Sequence, residues 1–173
     1  VPGLPQAEPS LKITYVQPKD FTGLLRYVRN ILVVTIDPTA YTKVSVGYEN
    51  NVWARGQVVV SLKAPNTESI VEYSKTHEKA LVNFFVKVEM NRAIEQLQKE
   101  YSMVVMDNLK SDLNVMLNAP ANFTYYKDTT DFFWSSNNAN TGRMDLIVYT
   151  FPYTDPNTFT EEYLVAKRDS VLK

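Results

Sequence analysis

The stretch Ile31-Leu32-Val33-Val34-Thr35-Ile36 decides the fold class, because it is an almost wholly apolar and largely β-branched run that Asp37-Pro38 ends. Such a run predicts a strand in the centre of a sheet, covered on both faces. A second strong strand, rich in valine, is predicted at residues 57–62. A sheet is therefore one layer of the fold.

A helical pattern follows the second strand. From about Glu68 towards Tyr101, apolar residues recur every three or four positions, which is typical of one face of a helix. Because more than thirty residues is long for a globular helix, we expect a kink or a break before a second helical stretch at residues 103–109. Thr158 and Glu161 have the spacing of a capping box, which predicts a closing helix.

Most of the remaining segments are predicted to be strands. Their alternating or β-branched residues predict strands at residues 11–16, 115–117, 123–127, 131–135 and 145–151. Residues 42–48 alternate only weakly and fit either an edge strand or an irregular segment. This order predicts an α+β fold with a mixed, largely antiparallel sheet and helices packed mainly on one face. A ferredoxin-like split β-α-β unit is a plausible part of it. Residues 1–10, with three prolines, are expected to be an extended arm, and residues 11–173 a single α+β domain.

Composition excludes several function classes. The 173 residues carry 18 Lys plus Arg against 19 Asp plus Glu, a net charge of −1 that offers no field for nucleic acid. There is no cysteine and only one histidine, His77, so we expect no metal site, no cofactor and no familiar hydrolase centre. Glycine-rich phosphate loops and serine-nucleophile motifs are also missing. The chain is therefore more typical of a non-catalytic protein than of an enzyme.

His77 and a group of aspartates are the polar candidates for a chemical site. His77 is predicted on the apolar face of the long helix without a supporting nucleophile or carboxylate, which favours a histidine at the core edge with one hydrogen bond. Four aspartates in the last third could bind Ca²⁺, but their spacing matches no known loop and turn or cap duties explain them equally well; they are Asp128, Asp131, Asp145 and Asp155.

Aromatic and amide side chains are the better binding candidates. Aromatic rings stack on sugars and anchor protein interfaces. Because Trp134 alternates with Phe132, at least one of these two rings is expected in the core. A polar loop at residues 136–142 adds amide groups. The candidate binding residues are Trp53, Tyr125, Tyr126, Trp134, Asn137 and Asn138.

Two long stretches, at residues 127–134 (KDTTDFFW) and 149–160 (YTFPYTDPNTFT), and two shorter ones, at 2–6 and 29–32, form a distinctive set. They resemble an uncharacterised family of predicted bacterial lipoproteins from Gram-negative anaerobes, a domain of unknown function. The resemblance implies an exported protein in the periplasm or at the cell surface, anchored by lipid outside these residues, and it assigns no catalytic residue. The chain would then be a fragment of a longer protein. Short Asp-Ser/Thr patterns at Thr129 and Ser170 would in that setting be O-glycosylation sites.

Three functions fit these observations. The leading hypothesis is an envelope protein that binds a protein partner or serves as an accessory subunit of an outer-membrane assembly. The alternatives are a carbohydrate-binding or carbohydrate-active module and a purely structural domain. An exposed aromatic patch on the folded surface favours the first, and two carboxyls in a cleft would favour a glycosidase.

Overall fold

The computed structural model describes residues 9–172, and the α+β class is confirmed. The predicted arm over residues 1–10 lies, except for Pro9 and Ser10, outside the described residues. The strands are β1 (Asn30–Ile36), β2 (Ser45–Asn50), β3 (Val58–Ala64), β4 (Tyr125–Thr129), β5 (Phe132–Ser136) and β6 (Asp145–Tyr149). The α-helices are α1 (Thr67–Lys99), α2 (Met103–Leu113) and α3 (Glu161–Val171), and 3₁₀ turns occupy Pro18–Asp20, Gly23–Tyr27 and Pro156–Phe159.

The chain divides into two compact units, residues 1–94 and 95–173, with the boundary inside α1. Two compact units are two domains only if each can fold by itself, and the division alone does not show this. The single domain predicted over residues 11–173 therefore stays a prediction. Each unit has its own three-stranded sheet, where the sequence predicted one sheet. The units are described separately below.

In the first unit, β3 is the central strand of a mixed sheet. It pairs with β1 in parallel and with β2 in antiparallel orientation, in the order β1-β3-β2. The sequence instead placed Ile31–Ile36 in the centre. The two runs have similar composition, but five of the seven β3 residues are buried. In β1 only Ile31 is buried, and the residues after it alternate between exposed and half-buried positions. The connection from β1 to β3 passes through β2 rather than through a helix, unlike a split β-α-β unit.

Helix α1 runs beside this sheet. The break that the sequence predicted before residue 103 is present, because α1 ends at Lys99 and α2 begins at Met103. A kink that the sequence did not predict lies earlier in α1. His77 has non-helical backbone angles (φ −114°, ψ 17°) inside the helix. Further along α1, the ring of Phe84 lies 5.2 Å from that of Tyr48 on β2. Near the far end, Arg92 donates to Asn30 (2.8 Å) and to Glu89 (2.6 Å), and Asn30 donates to Glu89 (2.6 Å). This polar cluster fixes α1 to the start of β1.

A buried glutamine organises the loops of the first unit. Gln57, only 1% exposed, donates its side-chain amide to the carbonyls of Arg26 (2.6 Å) and Val28 (2.7 Å). Its side-chain oxygen accepts from the backbone N–H of Trp53 (3.0 Å). One residue thereby joins the 3₁₀ turn before β1 to the turn before β3.

The second unit is an antiparallel sheet, ordered β4-β5-β6, whose inner face packs on α2. Ser102 caps α2, since its hydroxyl accepts from the N–H of Val105 (3.3 Å) and donates to the carbonyl of Phe123 (2.6 Å). The core contains Val105, Leu109, Ala119, Phe123 and Phe133. The ring of β5 that enters this core is thus Phe133, and both Phe132 and Trp134 are half-buried, so the expectation that one of them is core was wrong.

Two predicted strands and one predicted cap differ from the structure. Residues 11–16 and 115–117 form no strand. Without a neighbouring strand, alternation alone leaves the backbone polar groups unpaired. The cap of α3 is Thr160, whose hydroxyl accepts from the N–H of Tyr163, whereas Thr158 is buried in the preceding 3₁₀ turn.

Candidate functional site

The outer face of the second sheet is the candidate site. Lys127 on β4 pairs with Trp134 on β5, which pairs with Ile147 on β6. Because side chains alternate between faces, these three lie side by side on one face. The register adds the remaining members of this face, which we call the outer face: Tyr125, Thr129, Phe132, Ser136, Asp145 and Tyr149.

A salt bridge fixes the central tryptophan of the outer face. The indole Nε1 of Trp134 donates to Asp145 Oδ1 (3.0 Å), and Arg143 forms a forked pair with the same carboxylate (3.0 and 3.2 Å). The guanidinium of Arg143 also lies 6.0 Å from the centre of the Trp134 ring, within cation–π range. The hydrogen bond from Arg143 is the chief reason that the pKa of Asp145 is lowered, and those from Ser136 and Trp134 add to it. The indole is therefore held in one orientation.

Tyr125 and Lys127 are the residues of the outer face that are exposed and available for contact with another molecule. Tyr125 is 55% exposed and lies diagonally from Trp134 across the β4–β5 ladder. Lys127 is exposed and has no salt bridge within residues 9–172. An exposed phenol and a free ammonium beside a fixed indole form a surface on which another molecule can gain both apolar contact and charge.

The structure brings together only two of the six predicted binding residues, Tyr125 and Trp134. Tyr126 points to the inner face, where its ring lies 6.3 Å from that of Phe133, although it remains 52% exposed. Trp53 belongs to the first unit and makes an edge-to-face contact with Phe21 at 5.4 Å.

The two predicted asparagines serve the loop that follows β5. Asn137 Oδ1 accepts from the N–H groups of Ala139 (3.2 Å) and Met144 (3.0 Å), and its Nδ2 donates to Gly142 O (3.3 Å). Asn138 has a left-handed backbone (φ 47°), a conformation that asparagine tolerates better than most residues. The amide of Asn137 is thus occupied inside the loop, and the role of Asn138 is to shape the turn.

The predicted binding residues did not include Lys127 and Arg143, and Asp145 was considered only as a calcium ligand. A signal for Lys127 existed, because Thr130 and Asp131 form a two-residue turn that places Thr129 opposite Phe132. Counting back from that pair sets Lys127 opposite Trp134. The Arg143–Asp145 pair reaches Trp134 only because of the path of the longer loop before β6, and no local sequence pattern predicts that path.

His77 lies in an open groove of about 210 Å³ between α1 and the first sheet. Its Nδ1 donates to the carbonyl of Tyr73 (3.0 Å), and its ring stacks on the Tyr73 ring at 4.0 Å. His77 therefore makes the one hydrogen bond that was expected, but from an exposed position. The groove is otherwise mainly apolar, with Val46, Tyr48, Val60, Leu81 and Phe84 in its walls.

The carboxylate pair of Asp112 and Asp128 does not have the spacing of a glycosidase pair. Asp112 and Asp128 share a hydrogen bond, which raises the pKa of Asp128, while the hydroxyl of Ser111 is the first cause that lowers the pKa of Asp112. Two glycosidase carboxyls stand about 5 Å or more apart, too far to share a proton directly. Across residues 9–172 there is no group of three acidic or histidine side chains that could hold a metal ion.

The remaining predicted residues have local roles. Asp155 accepts from the N–H of Asn157 (2.8 Å) in the 3₁₀ turn before α3. Thr129 and Ser170, the candidates for O-glycosylation, are exposed, and their hydroxyls donate to the carbonyls of Phe132 (3.2 Å) and Lys167 (2.7 Å).

Comparison with known proteins yields two family matches. Residues 1–98 match the family described as domain of unknown function DUF8532, and residues 102–173 match domain of unknown function DUF4837. The junction falls between α1 and α2. No curated protein and no solved structure matches the chain. Since the first match spans more than half of its residues, the chain belongs to the DUF8532 family of unknown function, with a DUF4837 segment following.

Proposed function

We propose that this chain is a non-catalytic protein of the bacterial cell envelope that binds a protein partner through the outer face of the second sheet. The observation that carries the proposal is the exposed Tyr125 ring beside the free Lys127 and the fixed Trp134. Trp, Tyr and Arg are the side chains that most often dominate protein interfaces. An accessory subunit of an outer-membrane assembly would use such a surface.

The geometry favours a protein over a sugar. A sugar ring stacks on an open aromatic face, but Arg143 lies over the Trp134 ring and its pair with Asp145 would have to break first. A protein partner can instead contact Tyr125, Ile147 and the cations at their edges without disturbing that pair. With Lys127 unpaired, the partner surface is expected to be acidic.

A carbohydrate-binding function has one observation in its favour, the exposed Tyr125 ring. Titration with a panel of glycans, followed by tryptophan fluorescence, tests this alternative because Trp134 lies beside Tyr125. A saturable shift that Tyr125→Ser abolishes would support it. A purely structural role predicts neither a glycan nor a protein partner.

The envelope location is part of the proposal. It is supported by the lipoprotein resemblance, and the anchor would lie outside these residues. No helix within residues 9–172 combines the length and the apolar character that a membrane crossing needs. Fractionation of cells that express the natural protein, with metabolic labelling by a fatty acid, tests the location. Recovery of the protein in the cytoplasmic fraction, without incorporated fatty acid, would contradict an envelope location.

Mild cross-linking of the native envelope, followed by mass spectrometry, tests partner binding. The wild-type chain is compared with Tyr125→Ser plus Lys127→Glu, and with a control of similar chemistry away from the face, Tyr153→Ser plus Lys110→Glu, whose parent residues are exposed. We expect one protein to be recovered with wild type and control but not with the outer-face variant. Equal recovery with all three would remove this face from consideration.

A further inference from the structure

We propose that two copies of this chain pair through the open edge of β1, which joins their first sheets into one six-stranded sheet. This inference is independent of the outer face of the second sheet. Within residues 9–172, no strand pairs with the edge of β1 that faces away from β3. The sequence of β1, Asn-Ile-Leu-Val-Val-Thr-Ile, has no charge, proline or glycine. Edges that must stay single usually carry such blocking features.

Backbone hydrogen bonds show which residues face the open edge. Val58 N–H donates to Arg29 O, and Asp37 N–H donates to Ala64 O. In a parallel ladder every second residue bonds the same neighbour, so the odd-numbered residues of β1 point their backbone groups at β3. The even-numbered residues Asn30, Leu32, Val34 and Ile36 therefore present their N–H and C=O groups to the open edge.

One antiparallel register uses all of these groups. A two-fold axis through Val33, the middle residue of β1, places Leu32 opposite Val34 of the second copy and Asn30 opposite its Ile36. Both are pairs of even-numbered residues, which are the ones able to exchange two hydrogen bonds in an antiparallel ladder. Val33 then faces its own copy in a pair without hydrogen bonds. A symmetric contact of this kind is closed and yields a dimer rather than a fibre.

The same register makes the charges at the two ends of β1 complementary. It sets Arg29 opposite Asp37 of the second copy, and the symmetry repeats this pair at the other end. The Arg29 side chain is 70% exposed and pairs with Glu89 at 3.4 Å. Asp37 Oδ1 accepts from Thr39 and Ala40, and these bonds leave Asp37 Oδ2 for a partner.

The side chains along this edge also gain from pairing. Leu32, Val34 and Ile36 are 45–47% exposed on one face of the sheet. The same face carries Val46 and Tyr48 of β2, on the far side of the central β3. An apolar patch of this kind is a few hundred Å² in area, smaller than the roughly 800 Å² per partner of a stable interface. The backbone ladder must supply part of the affinity, so we expect a dimer that dissociates in the micromolar range rather than a permanent one.

Cysteine scanning tests the register, because the natural chain has no cysteine. Val33→Cys places two thiols in a pair without hydrogen bonds, where Cα atoms lie about 4.5 Å apart and a disulfide fits. Val34→Cys is the matched control, since its two copies lie roughly 8–9 Å apart, too far for a disulfide. After mild oxidation we expect covalent dimer from Val33→Cys and little from Val34→Cys. Equal cross-linking of both, or of neither, would overturn the register.

Sedimentation equilibrium of the wild-type chain tests pairing without any substitution. We expect a concentration-dependent dimer, weakened about tenfold by Arg29→Glu, which replaces two surface ion pairs with repulsions. Glu89→Gln removes the ion pair of Arg29 within the chain and should leave the dimer unchanged. Should the wild type stay monomeric up to millimolar concentration, with the amides of Leu32 and Val34 exchanging freely, the proposal would be wrong. Equal weakening by both variants would also contradict it.

Discussion

Gln57→Leu should destabilise the first unit, although leucine is apolar and similar in size. The substitution removes both donors that serve the carbonyls of Arg26 and Val28, and the acceptor that serves the N–H of Trp53. Leaving a buried polar group without a partner costs about 1–3 kcal/mol. Since these three residues lie partly in reach of water, we take the lower end for each and expect a total loss of about 3 kcal/mol.

Urea unfolding followed by circular dichroism measures this loss. For a chain of this size it corresponds to a melting temperature about 6–12 °C lower. Gln98→Leu is the control, because Gln98 is exposed on α1 and should change the free energy of unfolding by less than about 0.5 kcal/mol. Amide exchange at Trp53 should also accelerate in Gln57→Leu. If Gln57→Leu and Gln98→Leu unfold at the same urea concentration, the role assigned to Gln57 is incorrect.

Further predictions concern the second unit. Phe133→Ala, at a core position that is 1% exposed, should cost about 3–5 kcal/mol in urea unfolding, whereas Phe159→Ala, at a position that is 76% exposed, should cost little. Ser102→Ala should cost about 1–3 kcal/mol in the same assay, because a helix cap and a buried hydrogen bond are lost together. Because the pKa of Asp145 is lowered in the folded state, its contribution to stability is present above the ordinary aspartate pKa and is lost as pH falls through the lowered value. The NMR signal of the Trp134 indole N–H should titrate over that acidic range, and a titration midpoint at or above the ordinary aspartate value would contradict the Arg143 pair.

Segments whose pattern is local were predictable from the sequence. The valine-rich β3, the long helix with the break that follows it and the strands of the second sheet all follow from spacing that neighbouring residues determine. The cap of α3 was misplaced by two residues. Thr158 and Thr160 are both good cap residues, and only the path of the turn between them decides which hydroxyl reaches an unpaired N–H.

Positions that depend on distant contacts were not predictable. Residues 31–36 and 58–64 are similar in composition, so the sequence could not tell that β3, rather than β1, would be paired on both sides. Residues 11–16 alternate as a strand does, yet pairing requires a neighbour at the right distance. In the candidate site, Tyr125 and Trp134 were predicted as binding residues because they are aromatic. The Arg143–Asp145 pair that fixes Trp134 was not predicted, because it depends on how the loop before β6 folds back.

Partner binding through the outer face is tested most directly by a photo-cross-linking amino acid at position 125, in cells that express the natural protein. The control carries the same group at position 153, since Tyr153 is also exposed, at 65%, but lies outside the outer face. We predict one dominant cross-linked protein from position 125 that is absent from position 153 and is lost when Lys127→Glu is added. The same products from both positions, or none from position 125, would contradict a binding role for the outer face.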